Sequence, residues 1–222
     1  MTLSFVVTPS IRQREASAGV VVRRGRRADT SAVALVVDSA RFEFGALAGS
    51  RDRAAGLLTA LWPHVGHSFS WEHAWVAELD GQVVGVLVGF AESDRLRLHA
   101  GLAARSVRHL PVGRVLLLPV VLALLRVLAP RPPREAFYIA AIAVAPHARR
   151  RGVASALGEA AVGHARATGF GRIAAHTGTH HLAARRGLER FGLSASRARQ
   201  RGYVLYTATL DLPDGPEAPG KG

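Results

Sequence analysis

The sequence predicts an α/β domain, and three stretches carry that prediction. Ala74–Leu79 and Gln82–Ala91 are apolar strand-like runs joined by Asp80-Gly81, a tight-turn dipeptide, so they read as a hairpin. Tyr138–Leu157, YIAAIAVAPHARRRGVASAL, reads as a strand, a Pro-His-Ala break and a helix whose first turn is stripped of bulk. After it, strand-like and helix-like segments alternate to residue 210.

In chain order, residues 1–18 hold one short apolar run, Leu3–Val7, and read as an arm. Gly19–Arg23 is β-branched and reads as the first strand, and Arg24–Arg27 as a basic turn. Asp29 or Thr30 is placed to cap a helix running to about Ser39. Ala54–Leu61 is a short helical segment that ends near Pro63. The hairpin follows, and then a long segment, 92–136, containing Leu110–Ala129. That apolar run is interrupted by Arg114, Pro119 and Arg126. Its uncharged part, Val115–Leu125, is shorter than the roughly 20 residues a bilayer crossing needs. It reads as helices packed on the domain or in a dimer, or else as an interfacial membrane segment. Phe137–Val144 is the central strand, and Gly152–Thr168 a helix stopped by Gly169. Arg172–His176 is a strand, His181–Phe191 a helix stopped by Gly192, and Tyr203–Leu210 the last strand. From Asp211 the chain is rich in proline and glycine and reads as a flexible tail. The domain thus spans 19–210.

Composition narrows the function. A chain of 222 residues is one domain, or one with an insertion, and can bury a sizeable core. It has no cysteine, which excludes a disulfide framework and a thiol nucleophile. No basic-then-apolar leader opens it, so a cytoplasmic location is the default expectation. The net charge of +13 is almost all arginine, since Lys221 is the only lysine. Those arginines are scattered and no aromatic residues interleave with them, so nucleic acid is not the expected partner. Part of the charge suits a polyanionic ligand.

The start of the Gly152–Thr168 helix suits such a ligand. Unpaired amides and the positive end of the helix dipole meet small residues there, with Arg149, Arg150 and Arg151 adding charge. There is neither a P-loop lysine nor a G-x-G-x-x-G. Arg149-Arg150-Arg151-Gly152-Val153-Ala154, with Ile142-Ala143-Val144-Ala145-Pro146 before it, resembles the acetyl-CoA motif Arg/Gln-x-x-Gly-x-Gly/Ala of the GNAT N-acetyltransferase superfamily. A second pattern of that family, Asn-x-x-Ala-x-x-x-Tyr-x-x-x-Gly-Phe, is kept in spacing at His181, Ala184, Leu188, Gly192 and Leu193, with three side chains changed.

The resemblance implies a mixed central sheet flanked by helices, with residues 92–136 as a helical insertion between strands three and four. It implies acetyl-CoA as co-substrate and an amine acceptor. From the residues themselves, a homodimer through the apolar insertion is an open expectation, and neither a membrane span nor a metal is expected. Ile142, Ala143, Val144, Arg149, Arg150, Arg151, Gly152, Val153, Ala154 and Ser155 are the expected cofactor contacts, joined by His181, Ala184 and Leu188. The family's Tyr is credited with protonating the leaving thiolate, and Leu188 cannot do that. A non-catalytic acyl-CoA-binding module is therefore the competing reading. Candidate bases are Glu135, His176 and His180. Tyr138 is a candidate for positioning the acceptor, and Tyr203 or Tyr206 for a displaced acid. Glu135 also reads as a solvated strand-end charge. His176, His180 and His181 lack the further ligands of a metal site. Phe69, Trp71, His73 and Trp75 read as packing or as a wall of the acceptor pocket.

Overall fold

A computed structural model describes residues 19–39, 41–128, 130–200 and 202–210. Its sheet holds the hairpin, β2 (Ala74–Leu79) and β3 (Gln82–Ala91), closed by Asp80 and Gly81, both at positive φ. Two residues in that left-handed region make the turn whose twist matches its strands. β1 (Val20–Arg24) pairs with β2, and β4 (Phe137–Val144) with β3, both antiparallel. β5 (Arg172–Gly178) lies parallel to β4. β7 (Tyr203–Thr209) then separates β5 from β6 (Ser194–Gln200). The seven strands run β1-β2-β3-β4-β5-β7-β6, a mixed sheet as expected.

Helices cover both faces. On one lie α1 (Ala32–Ser39), α2 (Arg41–Ala48), α3 (Arg51–Leu61) and α4 (Arg95–Ser106). Val33, Val36, Phe44, Leu58, Trp62 and Leu98 there meet Val76, Val86, Val88 and Phe90 of the sheet. On the other lie α6 (Val153–Ala167) and α7 (Leu182–Arg190), where Val153, Leu157, Ala161 and Leu188 meet Ala77, Leu87, Phe137 and Ile139. Gly85 lets α6 come close, since a Cβ on it would stand 2.7 Å from Val153 Cγ1. The turn from β1 into α1 is fixed by Arg23, which pairs with Asp29 at 2.8 Å and with Glu78 of β2 at 2.5 Å. The Arg23 guanidinium holds the Asp29 carboxyl below its ordinary range. Asp29 therefore anchors the turn through Arg23 and the Arg26 amide.

Two elements escaped the sequence. α2, RFEFGALA, carries a glycine and only two turns of pattern. β6, SASRARQ, has no apolar run at all; it is an edge strand, hydrogen-bonded to β7 alone.

The segment between β3 and β4 holds α4 and the 17-residue α5 (Val112–Leu128). α5 lies against α2, burying Leu118 and sending an Arg114 guanidinium N–H to the Ala46 carbonyl. Pro119 is accommodated within the helix. α4 comes so close to the turn at Gly66 that a Cβ on Gly101 would stand 2.2 Å from the Gly66 carbonyl oxygen. Backbone cannot yield as a side chain can. Gly101→Ala is therefore expected to destabilise the fold by about 1–3 kcal/mol, the usual cost of overpacking, measured by denaturant unfolding.

Candidate active site

β4 is where the backbone becomes available to a ligand. Its register to β3 shifts between Val88, opposite Ala141, and Gly89, opposite Ile139, so Ala140 is an extra residue, a β-bulge. On the other side, β4 pairs with β5 only at Phe137, Tyr138 and Ile139, opposite Ile173, Ala174 and Ala175. Beyond that the two strands part. The Ala145 amide bonds to the Val84 carbonyl, so antiparallel alternation turns the peptide groups of Ile142 and Val144 away from β3 and into the gap. Arg149 Nε donates to the Val144 carbonyl at 3.3 Å, which closes the gap at its far end.

The chain then turns into α6. Pro146–Ala148 form a single 3-10 turn, and Arg150 and Gly152 both take positive φ, 62° and 77°. Glycine fits that conformation without cost, whereas arginine does not. The first helical bond runs from the Ala156 amide to the Gly152 carbonyl. The amides of Val153, Ala154 and Ser155 are thus the unpaired start of the helix. Arg149, Arg150, Arg151 and Ser155 are exposed around it, and Ala154 and Gly152 partly so. Amides, dipole and guanidinium groups together suit a pyrophosphate, and the open edge of β4 suits an extended polar chain.

At the fork stands a pair of side chains. Tyr138 is buried on β4, and its hydroxyl lies 2.7 Å from His176 Nδ1 on β5, with the two rings nearly parallel. Around them, Phe90 is edge-on to Tyr138, Tyr203 is edge-on to His176, and His99 of α4 is edge-on to Phe90. Arg95 reaches over the Tyr138 ring at 5.7 Å and pairs through Nε with Glu92 Oε1 at 2.7 Å. Glu92 is buried, its amide donates to the Ala136 carbonyl, and its Oε2 has no hydrogen-bond partner among the described residues. His99 Nδ1 lies 3.1 Å from Ser68 Oγ. His99 and His176 are closely surrounded by protein, and each residue keeps part of its surface exposed.

Burial sets the charges here. It pushes His176 and His99 down to about 4, and the Arg95 charge adds to that, so both rings are neutral at pH 7. Burial raises the Glu92 carboxyl above its ordinary value, against the pull of Arg95. The unfolded chain protonates its histidines near 6.5 and the folded chain only near 4. Stability from these two groups is therefore full above pH 6.5 and is lost as the pH falls from 6.5 towards 4. At about 1.4 kcal/mol per pKa unit, each histidine contributes at most about 3 kcal/mol to that loss. Thermal melts from pH 7 to pH 4.5 are expected to show it, and His176→Gln is expected to flatten the slope.

Of the residues proposed from sequence, Tyr138 and His176 meet. Glu135 does not join them: it is exposed, 3.6 Å from the Arg172 guanidinium. His180 and His181 are exposed with their rings 4.2 Å apart, and Ala184 is exposed. Leu188 is buried in the α6–α7 core. Tyr206 is fully buried, donating to Glu189 and accepting from Arg185 Nε. Trp75 is packed in the core against Phe137 and His164, and Phe69 against Phe44. Trp71 is packed on the opposite core, and His73 is edge-on to Phe90. Among the described residues no three metal-ligating side chains converge. Glu92, Arg95 and His99 escaped the sequence reading. Their spacing, i, i+3 and i+7, puts them on one helical face, a signal hidden by the arginine-rich segment around them.

The Acetyltransferase (GNAT) family model matches residues 46–193, a stretch that runs from α2 through the fork and the α6 start to Leu193. The chain belongs to the GNAT acetyltransferase family. Solved GNAT structures share its architecture. A crystal structure of an acetyltransferase superposes with a TM-score of 0.66 at 16% identity, covering 87% of this chain and all of that one (100%). An N-acetyltransferase from Staphylococcus aureus Mu50 gives 0.66 at 14%, covering 86% and 100%. A Drosophila melanogaster polyamine N-acetyltransferase, which catalyses the formation of N-acetylagmatine, gives 0.54 at 15%, covering 86% and 100%. At such identities the likeness is one of fold. No relative was found among curated proteins. GNAT enzymes in general use acetyl-CoA, and the open β4 edge and α6 start of this member are compatible with it.

Proposed function

We propose that this GNAT domain transfers the acetyl group of acetyl-CoA to a primary amine by direct attack. The observation that carries the reading is the parting of β4 from β5 after Ile139 and Ala175. It leaves an open backbone edge between an anion-binding helix start at one end and a buried polar pair at the other. As co-substrate, acetyl-CoA supplies the activated thioester carbonyl. The amides of Val153, Ala154 and Ser155 and the guanidinium groups of Arg149–Arg151 hold the pyrophosphate. The peptide groups of Ile142 and Val144 hold the pantetheine arm, with Ala143 between them, and an N–H of this edge polarises the thioester carbonyl. His181 and Ala184, exposed at the start of α7, flank the arm, with Leu188 beneath them in the core.

The acceptor enters the crevice under α4. An amine attacks only when unprotonated, and its proton then has to leave. Glu92 is suited to take it: burial moves this carboxyl towards neutral pH, and its Oε2 is unoccupied by any described partner. His176, neutral throughout, positions the Tyr138 hydroxyl, the donor at the fork that replaces the tyrosine lost at Leu188. Holding the two reactants at one place supplies much of the rate.

The burial of Leu188 in the core favours one competing reading, a domain that binds acyl-CoA without turning it over. Free thiol release from acetyl-CoA, followed with a panel of polyamines, amino acids and peptides, separates the two. Amine-dependent release well above hydrolysis supports the enzyme. Tight acetyl-CoA binding by calorimetry with no amine-dependent release supports the module.

A further inference from the structure

The outer face of α5 has no use in the acetyl-transfer site. Val112, Leu116, Val120 and Leu124 recur at every fourth position on one side of the helix, and they are 77%, 74%, 63% and 51% exposed. Leu117 lies on the edge of the same face and is half exposed. The opposite side, through Leu118, is held by α2. A stripe of large aliphatic side chains this long is not an ordinary surface feature. Four residues apart on a helix, such side chains form a continuous face.

Charge says what covers it. Arg95 and Arg97 are paired with Glu92 and Asp94, but residues 98–134 contain six further arginines, at 105, 108, 114, 126, 131 and 134, and no aspartate or glutamate. A second copy seated on this face would bring two such segments together, and their like charges would oppose the contact. A surface that is both apolar within and anionic at its boundary satisfies both features. The 17 residues of α5 extend about 26 Å at 1.5 Å per residue, less than the roughly 30 Å of a bilayer's hydrocarbon core. No described helix is long and apolar enough to cross a membrane. The geometry is that of a helix lying in the headgroup region.

We propose that α5 docks this protein on an anionic lipid surface, with its outer aliphatic face among the acyl chains and the flanking arginines on the headgroups. The docking is independent of the catalytic reading, because none of these side chains belongs to the fork or the α6 start. The full-length protein is floated with vesicles of mixed phosphatidylglycerol and phosphatidylcholine, and with phosphatidylcholine alone. The expected result is at least tenfold more bound protein on the anionic vesicles, falling severalfold in 0.5 M salt. The triple variant Leu116→Gln/Val120→Gln/Leu124→Gln is expected to lose at least tenfold of that binding while keeping the wild-type melting curve, since all three side chains are on the surface. Absence of vesicle binding overturns the proposal. So does equal binding by the triple variant, which would leave the apolar face without a part. A concentration-dependent dimer seen by light scattering, abolished in the triple variant and unaccompanied by vesicle binding, assigns the face to a second copy and overturns it as well.

Discussion

Gly152→Glu is expected to weaken acetyl-CoA binding by about 100-fold, measured by calorimetry, with little change in overall fold. A 100-fold loss corresponds to about 2.7 kcal/mol at 1.4 kcal/mol per decade. Two effects combine to reach it. Gly152 sits at φ 77° as the residue before the first turn of α6, and any Cβ there costs about 1–2 kcal/mol in the left-handed region. Part of that strain is relieved by rotating the peptide, which turns the α6 amides away from a bound anion. The carboxylate then adds a negative charge where the proposed pyrophosphate lies. Gly152→Ala separates the two, since it carries the strain without the charge. It is expected to lower stability measurably and affinity only severalfold. If Gly152→Glu binds acetyl-CoA as tightly as the wild type does, the pyrophosphate is not held at the start of α6.

The sequence made this end of the site legible because its signals are local. Small residues after a proline turn, three arginines and a left-handed glycine fall within ten residues, and each has a direct physical consequence. The hairpin was equally plain: Asp80-Gly81 dictates its own turn, and the runs on either side are mostly apolar. The other end of the site is not local. Tyr138 and His176 are 38 residues apart and meet only because β4 and β5 are neighbours. Nothing in the sequence singles out Glu92 and Arg95, and only the fold buries the Glu92 carboxylate beside the Arg95 guanidinium. β6 is a strand because β7 offers it hydrogen bonds, whatever its own polar pattern prefers. The apolar run of the insertion was legible as a helix but not in its placement. It reads as packed on the domain, in a dimer or at a membrane surface, and α5 lies on α2. The modest amphipathic α4 supplies the side chains above Tyr138. Hydrophobicity marks a helix as needing a partner, and it does not say which partner or which face.

Glu92→Gln is expected to lower kcat by 10²–10⁴ with acetyl-CoA affinity unchanged, the range a positioned general base typically supplies. The amide keeps the size of the side chain and an oxygen for Arg95, so the crevice should hold its shape. It cannot accept a proton. The pH profile carries the stronger discrimination. In the wild type, burial raises the Glu92 carboxyl, so kcat should fall on the acid side as that group becomes protonated, at a pH above the ordinary carboxylate value. In Glu92→Gln that acid limb should vanish and leave a flat, low rate. His176 gives the opposite signature. Its ring is held near 4, far below any working pH, so His176→Gln removes no titration from the neutral range. It should instead cost severalfold in kcat by loosening the Tyr138 hydroxyl. Should His176→Gln abolish the acid limb while Glu92→Gln retains it, the base is the histidine, and the Arg95–Glu92 pair serves only to hold α4 over the site.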